Sequence, residues 1–124
     1  MAILYAFGSR AREVRDWAEG KLKALTKSSS DVDIGVKPAP GRRLSVREKV
    51  RLATALEDLL NVGRVDLVVL PEADPFLAAN VVRGERLYAK NEREADEYEL
   101  YVLRRAGDLA PLERERMKLI LGEK

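Results

Sequence analysis

Two aspartates with an alternating apolar pattern are the residues of this chain best suited to chemistry. Asp31 and Asp33 alternate with Val32, Ile34 and Val36. Such alternation predicts a β-strand whose apolar side chains share one face while the aspartates share the other. Neighbouring carboxylates repel each other, and a bound Mg²⁺ with oxygen ligands is the simplest compensation. The spacing therefore predicts a metal site, with a nucleoside triphosphate as the metal's natural partner.

A third aspartate, Asp66, lies in a β-branched run over 65–70 that Pro71 ends. If this run is a strand beside the first, its carboxylate reaches the same site. Three carboxylates can frame two metal ions, one orienting the triphosphate and the other activating an attacking hydroxyl. Asp66 is then a metal ligand or a proton acceptor. We predict three catalytic and metal-binding residues: Asp31, Asp33 and Asp66.

A Gly-Ser pair follows the short apolar run over 3–7 and precedes a helical pattern that begins at Ala11. A strand-to-helix turn exposes backbone N–H groups at a helix N-terminus, where phosphate oxygens bind favourably. Gly8 and Ser9 are therefore predicted to bind the nucleotide. Ser30 either contacts a phosphate as well or only closes its loop.

Two amphipathic helices are predicted between the strands. Residues 11–25 place apolar side chains at spacings of three and four, despite Gly20 within the pattern. Residues 46–60 show the same spacing, with a Ser-x-x-Glu capping box at 45–48 and a C-terminal stop at Gly63. Both helices would support the strands that carry the aspartates.

The remaining residues add helices and one strand. A short helix is predicted over 76–82, and an edge strand over 86–89. The tail has a helical face, but Gly107 and Pro111 are expected to divide it into two helical pieces. Its apolar side chains are expected to face the core, with an oligomer or partner interface as the alternative; they are Tyr98, Tyr101 and Val102.

Length and composition predict one domain. The chain has 124 residues, of which 46% are hydrophobic and 35% charged, as in a folded globular domain. We expect a single domain over 1–124, with a catalytic core over 1–90 and a C-terminal helical tail over 91–124. The predicted fold class is α+β, with a small mixed sheet backed by helices. The chain has no cysteine or histidine, which excludes disulfides, thiolate nucleophiles and imidazole bases.

Charge and hydropathy argue against two kinds of partner. The 23 basic and 21 acidic residues give a formal charge of +2, too small to predict nucleic-acid binding. The apolar run over 3–7 is far shorter than the roughly 18 residues of a membrane span. No basic leader precedes it, so we expect a cytoplasmic protein without a membrane partner.

Three segments taken together, 7–12, 30–34 and 65–67, resemble the signature of the minimal nucleotidyltransferases of the polymerase-beta superfamily. The resemblance covers roughly residues 3–90. In that family a Gly-Ser pair cradles the triphosphate, while an Asp-x-Asp pair and a later aspartate bind magnesium. The resemblance therefore implies a polymerase-beta palm-like fold, ATP as substrate and a two-metal Mg²⁺ site. These roles fall on Gly8, Ser9, Asp31, Asp33 and Asp66.

The tail segment 104–112 resembles, more loosely, the ending of minimal nucleotidyltransferases that act as antitoxins. Those proteins partner HEPN-domain ribonuclease toxins and neutralise them by attaching AMP to a toxin tyrosine. The resemblance implies transfer of AMP from ATP to a hydroxyl of such a partner. Two alternatives stay open: a non-catalytic antitoxin or binding module with a vestigial nucleotide site, and a nucleotidyltransferase acting on a small molecule or RNA.

Overall fold

The computed structural model describes residues 2–27 and 30–122, and in this part of the chain it places four strands and four α-helices. A 3₁₀ turn, Leu70–Glu72, follows the third strand. Within the same residues, no helix has both the length and the apolar character to cross a membrane. In chain order the elements are β1 (Ile3–Phe7), α1 (Ala11–Ala18), β2 (Val32–Lys37), α2 (Val46–Leu60), β3 (Val65–Val69), α3 (Pro75–Val82), β4 (Glu85–Ala89) and α4 (Glu92–Ile120).

The strands form one sheet in the order β3-β2-β1-β4. β1 is antiparallel to both β2 and β4, whereas β2 and β3 are parallel. The predicted α+β fold with a small mixed sheet is thus confirmed, and β4 lies at an edge as expected. The parallel pair follows from the strand-helix-strand order, since α2 returns the chain to the edge where β2 began.

The sheet is covered on both faces, which explains why its central strands are apolar on both sides. On one face Ile34 of β2 packs with Val14 of α1 and Leu60 of α2. On the other face Tyr5 of β1 packs with Val81 of α3 and with residues of α4. The helices cover both faces of the sheet and leave the ends of its strands exposed. Polar residues lie at these strand ends.

α1 is much shorter than the helix predicted over 11–25. Gly20 has a φ of +80°, and its N–H donates to the carbonyl of Trp17 at 3.0 Å. The N–H of Lys21 donates to the carbonyl of Asp16 at 2.8 Å. These two bonds form a Schellman ending, in which a left-handed glycine stops the helix. The apolar spacing beyond Gly20 therefore does not continue the helix.

α2 has the predicted bounds and the predicted capping box. The Ser45 hydroxyl accepts from the N–H of Glu48, and the Glu48 carboxylate accepts from the N–H of Ser45, both at 3.1 Å. The predicted stop at Gly63 is wrong, because Asn61 already adopts the left-handed conformation with a φ of 53°. Asparagine tolerates this conformation better than most residues do.

α4 is one continuous helix, so the predicted division at Gly107 and Pro111 is wrong. Pro111 lacks an N–H and leaves the carbonyl of Gly107 without its usual donor. Gly107 is exposed, so water can replace that donor and the helix continues. Of the residues expected to face the core, Val102 is buried and Tyr98 is half-buried, but Tyr101 is 56% exposed.

Candidate active site

The three predicted aspartates lie at the N-terminal ends of the parallel strands β2 and β3. Asp33 pairs in register with Asp66, so both carboxylates point to the same face of the sheet. Asp31 lies just before β2, which begins at Val32, and not within the strand as predicted. The parallel pairing thus brings together residues that are 33 or more positions apart in sequence, as expected from the pattern.

Asp33 is harder to ionise than an isolated aspartate. Partial burial raises the pKa of Asp33 above its usual range, and the neighbouring charges of Asp66 and Asp31 raise it further. A divalent cation would remove this cost, because it favours ionised oxygen ligands. The donor set is therefore of the kind that holds Mg²⁺.

Arg64 supplies a positive charge to the outer two carboxylates. Its Nη2 lies 3.2 Å from Oδ1 of Asp66, and its Nε lies 3.8 Å from Oδ2 of Asp31. Within residues 2–27 and 30–122, no three acidic side chains are already gathered as ligands of one cation. Cation binding would then require Asp31 and Asp66 to turn away from Arg64, a residue that the sequence-based prediction missed.

Gly8 brings the backbone of the first turn against Asp33. Phe7 is the residue opposite Asp33 in the β1–β2 pairing, so Gly8 is the next residue beyond it. Its φ is +75°, and a Cβ at this position would collide with Oδ2 of Asp33. Only glycine suits both the left-handed backbone and the close approach. The register therefore places the Gly-Ser turn beside the carboxylates.

The turn can offer donors to a phosphate. In the described part of the chain, the N–H groups of Ser9 and Arg10 have no hydrogen-bond acceptor. The Ser9 side chain is exposed, and α1 begins two residues later. This is the arrangement in which a helix N-terminus binds phosphate.

Arg10 anchors the loop that leads to Asp31, and it was also missed from the sequence. It is buried, with 6% of its surface exposed. Its guanidinium donates to the carbonyls of Thr26 at 2.6 Å and Ser30 at 3.1 Å, and to the Glu13 carboxylate at 3.0 Å. The hydrogen bond from Arg10 is the main cause that lowers the pKa of Glu13. Because these partners are up to twenty residues away, no local spacing reveals them.

Ser30 lies on the wall of an open cavity of about 300 Å³ that Arg10, Asp31 and Arg64 also line. The cavity has cations and a carboxylate around it, so it is suited to a charged ligand. Ser30 accepts from Arg10 through its carbonyl, which agrees with the loop-closing role. Contact of Ser30 with a phosphate stays a prediction.

A comparison with protein-family models gives a match over three quarters of the chain. The family model described as polymerase beta, nucleotidyltransferase matches residues 1–93, which include all the predicted site residues. A comparison with curated proteins found no match.

Several solved structures share the fold. A chain in the crystal structure of a toxin-antitoxin with AMP-PNP has a TM-score of 0.71 at 21% identity, over 97% of this chain and 86% of that one. A chain in the complex of tri-AMPylated Shewanella oneidensis HEPN toxin with MNT antitoxin has a TM-score of 0.69 at 21% identity, over 97% and 82%. A further Shewanella oneidensis structure has a TM-score of 0.55 at 27% identity, over 88% and 92%.

Proposed function

Because the chain belongs to the polymerase beta nucleotidyltransferase family, we propose that it transfers AMP from ATP to a tyrosine of a HEPN-domain toxin and so acts as an antitoxin. The observation that carries the reaction is the close approach of the Gly8 backbone to Asp33, with Asp66 in register on the neighbouring strand. The Gly-Ser turn, Asp33 and Asp66 therefore lie close together at one end of the sheet, with Asp31 just before β2.

The residues of the Gly-Ser turn and the three aspartates each have a role in the proposed reaction. Ser9 and the free N–H groups of the turn would hold the triphosphate, with Ser30 as a further contact. When bound, Mg²⁺ supplies stabilisation of the negative charge on the leaving group. The ions would be held by Asp31, Asp33 and Asp66.

The transfer exchanges the phosphoanhydride bond between the α- and β-phosphates of ATP for a phosphoester bond to the acceptor. The acceptor hydroxyl oxygen attacks the α-phosphorus of ATP, and the bond from that phosphorus to the β-phosphate bridging oxygen breaks. Pyrophosphate leaves with the bond electrons. The hydroxyl proton would pass to Asp66 if that residue acts as the general base, or to solvent water if Asp66 acts only as a metal ligand.

The choice of acceptor is supported by the structural neighbours. One of them is a toxin-antitoxin with AMP-PNP, and another contains a tri-AMPylated HEPN toxin. These are properties of those proteins, and their similarity in fold to this chain favours a toxin tyrosine over a small molecule. The proposed setting of the reaction is the cytoplasm.

The test uses ATP labelled at the α-phosphate, Mg²⁺ and a lysate of the protein's own source cells. The wild-type chain should label one protein band. Asp33→Ala should abolish that band, whereas Asp108→Ala, at an exposed position on α4, should leave it unchanged. Label on RNA or on a small molecule would overturn the acceptor. No label anywhere would overturn catalysis and favour a non-catalytic antitoxin.

A further inference from the structure

A second concave region lies at the opposite end of β2 and β3. Its volume is about 460 Å³, and its walls come from the loop after β2, the turn after β3, and helices α3 and α4. At about 3.3 Å per residue, the strand rise separates Lys37 on its rim from Asp33 by roughly 13 Å. None of the aspartates lines it. We call it the basic pocket, and it is distinct from the candidate active site.

The ionised groups that line the basic pocket are all cationic, and most of them lack an acidic partner among the described residues. Its lining includes Lys37, Arg42, Arg43 and Arg105 but no acidic residue. Arg42 is neutralised by Glu48 at 2.9 Å. In the part of the chain that the structure describes, the other three cations have no ion pair. Like charges held around one concavity attract an anion.

The wall between these cations is aromatic. The rings of Tyr98 and Tyr101 have centroids 6.2 Å apart, and Nζ of Lys37 lies 5.2 Å from the Tyr98 ring. Burial raises the pKa of Tyr98 to about 12, with a smaller contribution from Tyr101. Tyr98 therefore stays neutral at physiological pH and adds no negative charge to the pocket.

The deep part of the basic pocket is apolar. Leu70 and Val102 line it and are almost fully buried, and Ala78 lies beside them. A simple inorganic anion would contact the cations but leave this apolar surface exposed to water. An uncharged ring would cover the apolar surface and leave the cations without a counter-charge. The lining is complementary to a ligand that has both parts.

We propose that the basic pocket binds a small aromatic anion of the nucleoside monophosphate class. The phosphate lies among Lys37, Arg43 and Arg105, and the ring lies against Tyr98 and Tyr101. The volume is within the range of roughly 300 to 1,000 Å³ that is usual for small-molecule sites. Stacking of the ring and pairing of the phosphate together give the affinity that neither part has alone.

AMP in the presence of a chelator is the probe that separates this pocket from the candidate active site. Without a divalent cation, the three carboxylates repel a phosphate, so binding there is suppressed. Titration of the full chain is followed by amide chemical shifts in NMR. We expect shifts over residues 37–43 and 98–105 that saturate with a Kd of about 1 mM or lower, with pyrophosphate and adenosine each at least about tenfold weaker.

Matched charge variants complete the test. Arg43→Ala/Arg105→Ala should weaken AMP binding at least about tenfold. The control Arg47→Ala/Arg104→Ala removes the same charge from exposed positions outside the pocket and should change it less than about twofold. Equal losses in the two double variants would overturn the proposal.

The choice of probe gives three further ways to overturn it. Pyrophosphate binding as tight as AMP would exclude the aromatic part of the proposal. Shifts confined to residues 8–10 and 31–33 would exclude the location. A short single-stranded RNA that binds the same residues far more tightly than AMP would identify a nucleic-acid surface instead. None of these outcomes depends on whether the chain transfers AMP, because no divalent cation is present.

Discussion

The two ends of the parallel strands β2 and β3 differ in the sign of their charge. At their N-terminal ends lie the carboxylates of Asp33 and Asp66, in register. Beyond their C-terminal ends lie the loop with Arg42 and Arg43 and the turn that begins at Leu70. Parallel strands begin at the same edge of a sheet, so equivalent positions cluster. An antiparallel pair would have placed acidic beginnings beside basic ends and neutralised both.

The two ends also differ in how far ion pairs neutralise their charged side chains. At the acidic end Arg64 bridges two carboxylates; partial burial, together with the charges of Asp66 and Asp31, still raises the pKa of Asp33. Of the described cations that line the basic pocket, only Arg42 has an acidic partner. Both ends retain charge that a ligand of opposite sign would neutralise. The difference shows that one pair of parallel strands can offer a cation site at one end and an anion site at the other.

The largest expected effect is on the reaction. Asp33→Asn keeps the shape of the side chain but removes the central charge of the acidic end, so the initial rate of AMP transfer to the isolated acceptor should fall at least about a hundredfold. Arg43→Ala, at the basic end, should change that rate less than about twofold. A comparable loss in both variants would show that the two ends are not independent.

The next effect is on stability at the acidic end. Gly8→Ala forces a left-handed alanine against the Asp33 carboxylate, which should lower the free energy of unfolding by about 1–3 kcal/mol. Gly107→Ala, at an exposed helical position with open space around its Cβ, should raise it by about 0.5–1 kcal/mol. Urea unfolding measures both values, and a Gly8→Ala variant as stable as wild type would contradict the close approach.

A smaller effect is expected on metal affinity. Arg64 competes with a cation for Asp31 and Asp66, so Arg64→Ala should bind Mn²⁺ several-fold more tightly in calorimetry, roughly a gain of 1 kcal/mol. In chelator the variant should lose at most about 1 kcal/mol of stability, because the Arg64 side chain is largely exposed. Arg47→Ala on α2 is the control. Unchanged Mn²⁺ affinity in Arg64→Ala would exclude competition.

The smallest effect is a pH dependence of stability without metal. The folded pKa of Asp33 is raised, so between the unfolded and the folded pKa the native state holds more protons than the unfolded state. Stability relative to Asp33→Asn should therefore fall as pH rises through this window and stay constant above it. Urea unfolding of both proteins across that range measures the difference. Parallel curves would mean that the folded state does not raise the pKa of Asp33.

The strands and the meeting of the aspartates could be predicted because both depend on local patterns. The alternation around Asp33 and the β-branched run around Asp66 each specify a strand and its polar face. The helix between them then makes the two strands parallel. Together with the Gly-Ser turn at the end of β1, these patterns predict the candidate site. They do not predict the arginines that neutralise its carboxylates.

What could not be predicted depends on contacts through space. Gly20 and Gly107 both interrupt apolar helical patterns, yet Gly20 ends a helix and Gly107 lies within one. The difference lies in the bonds that the following N–H groups make, which glycine alone does not specify. Arg10 and Arg64 were missed for a similar reason. Arg10 bonds to carbonyls across a long loop, and Arg64 has one of its partners, Asp31, in the loop before β2.

The buried Arg10 has a consequence for engineering. It holds Thr26 and Ser30 by their carbonyls, so the placement of Asp31 does not depend on the length of the segment that precedes Thr26. Residues 23 and 24 of that segment are exposed and follow the N–H groups that end α1. An affinity tag or a reporter domain inserted there would lie near the acidic end and leave it intact.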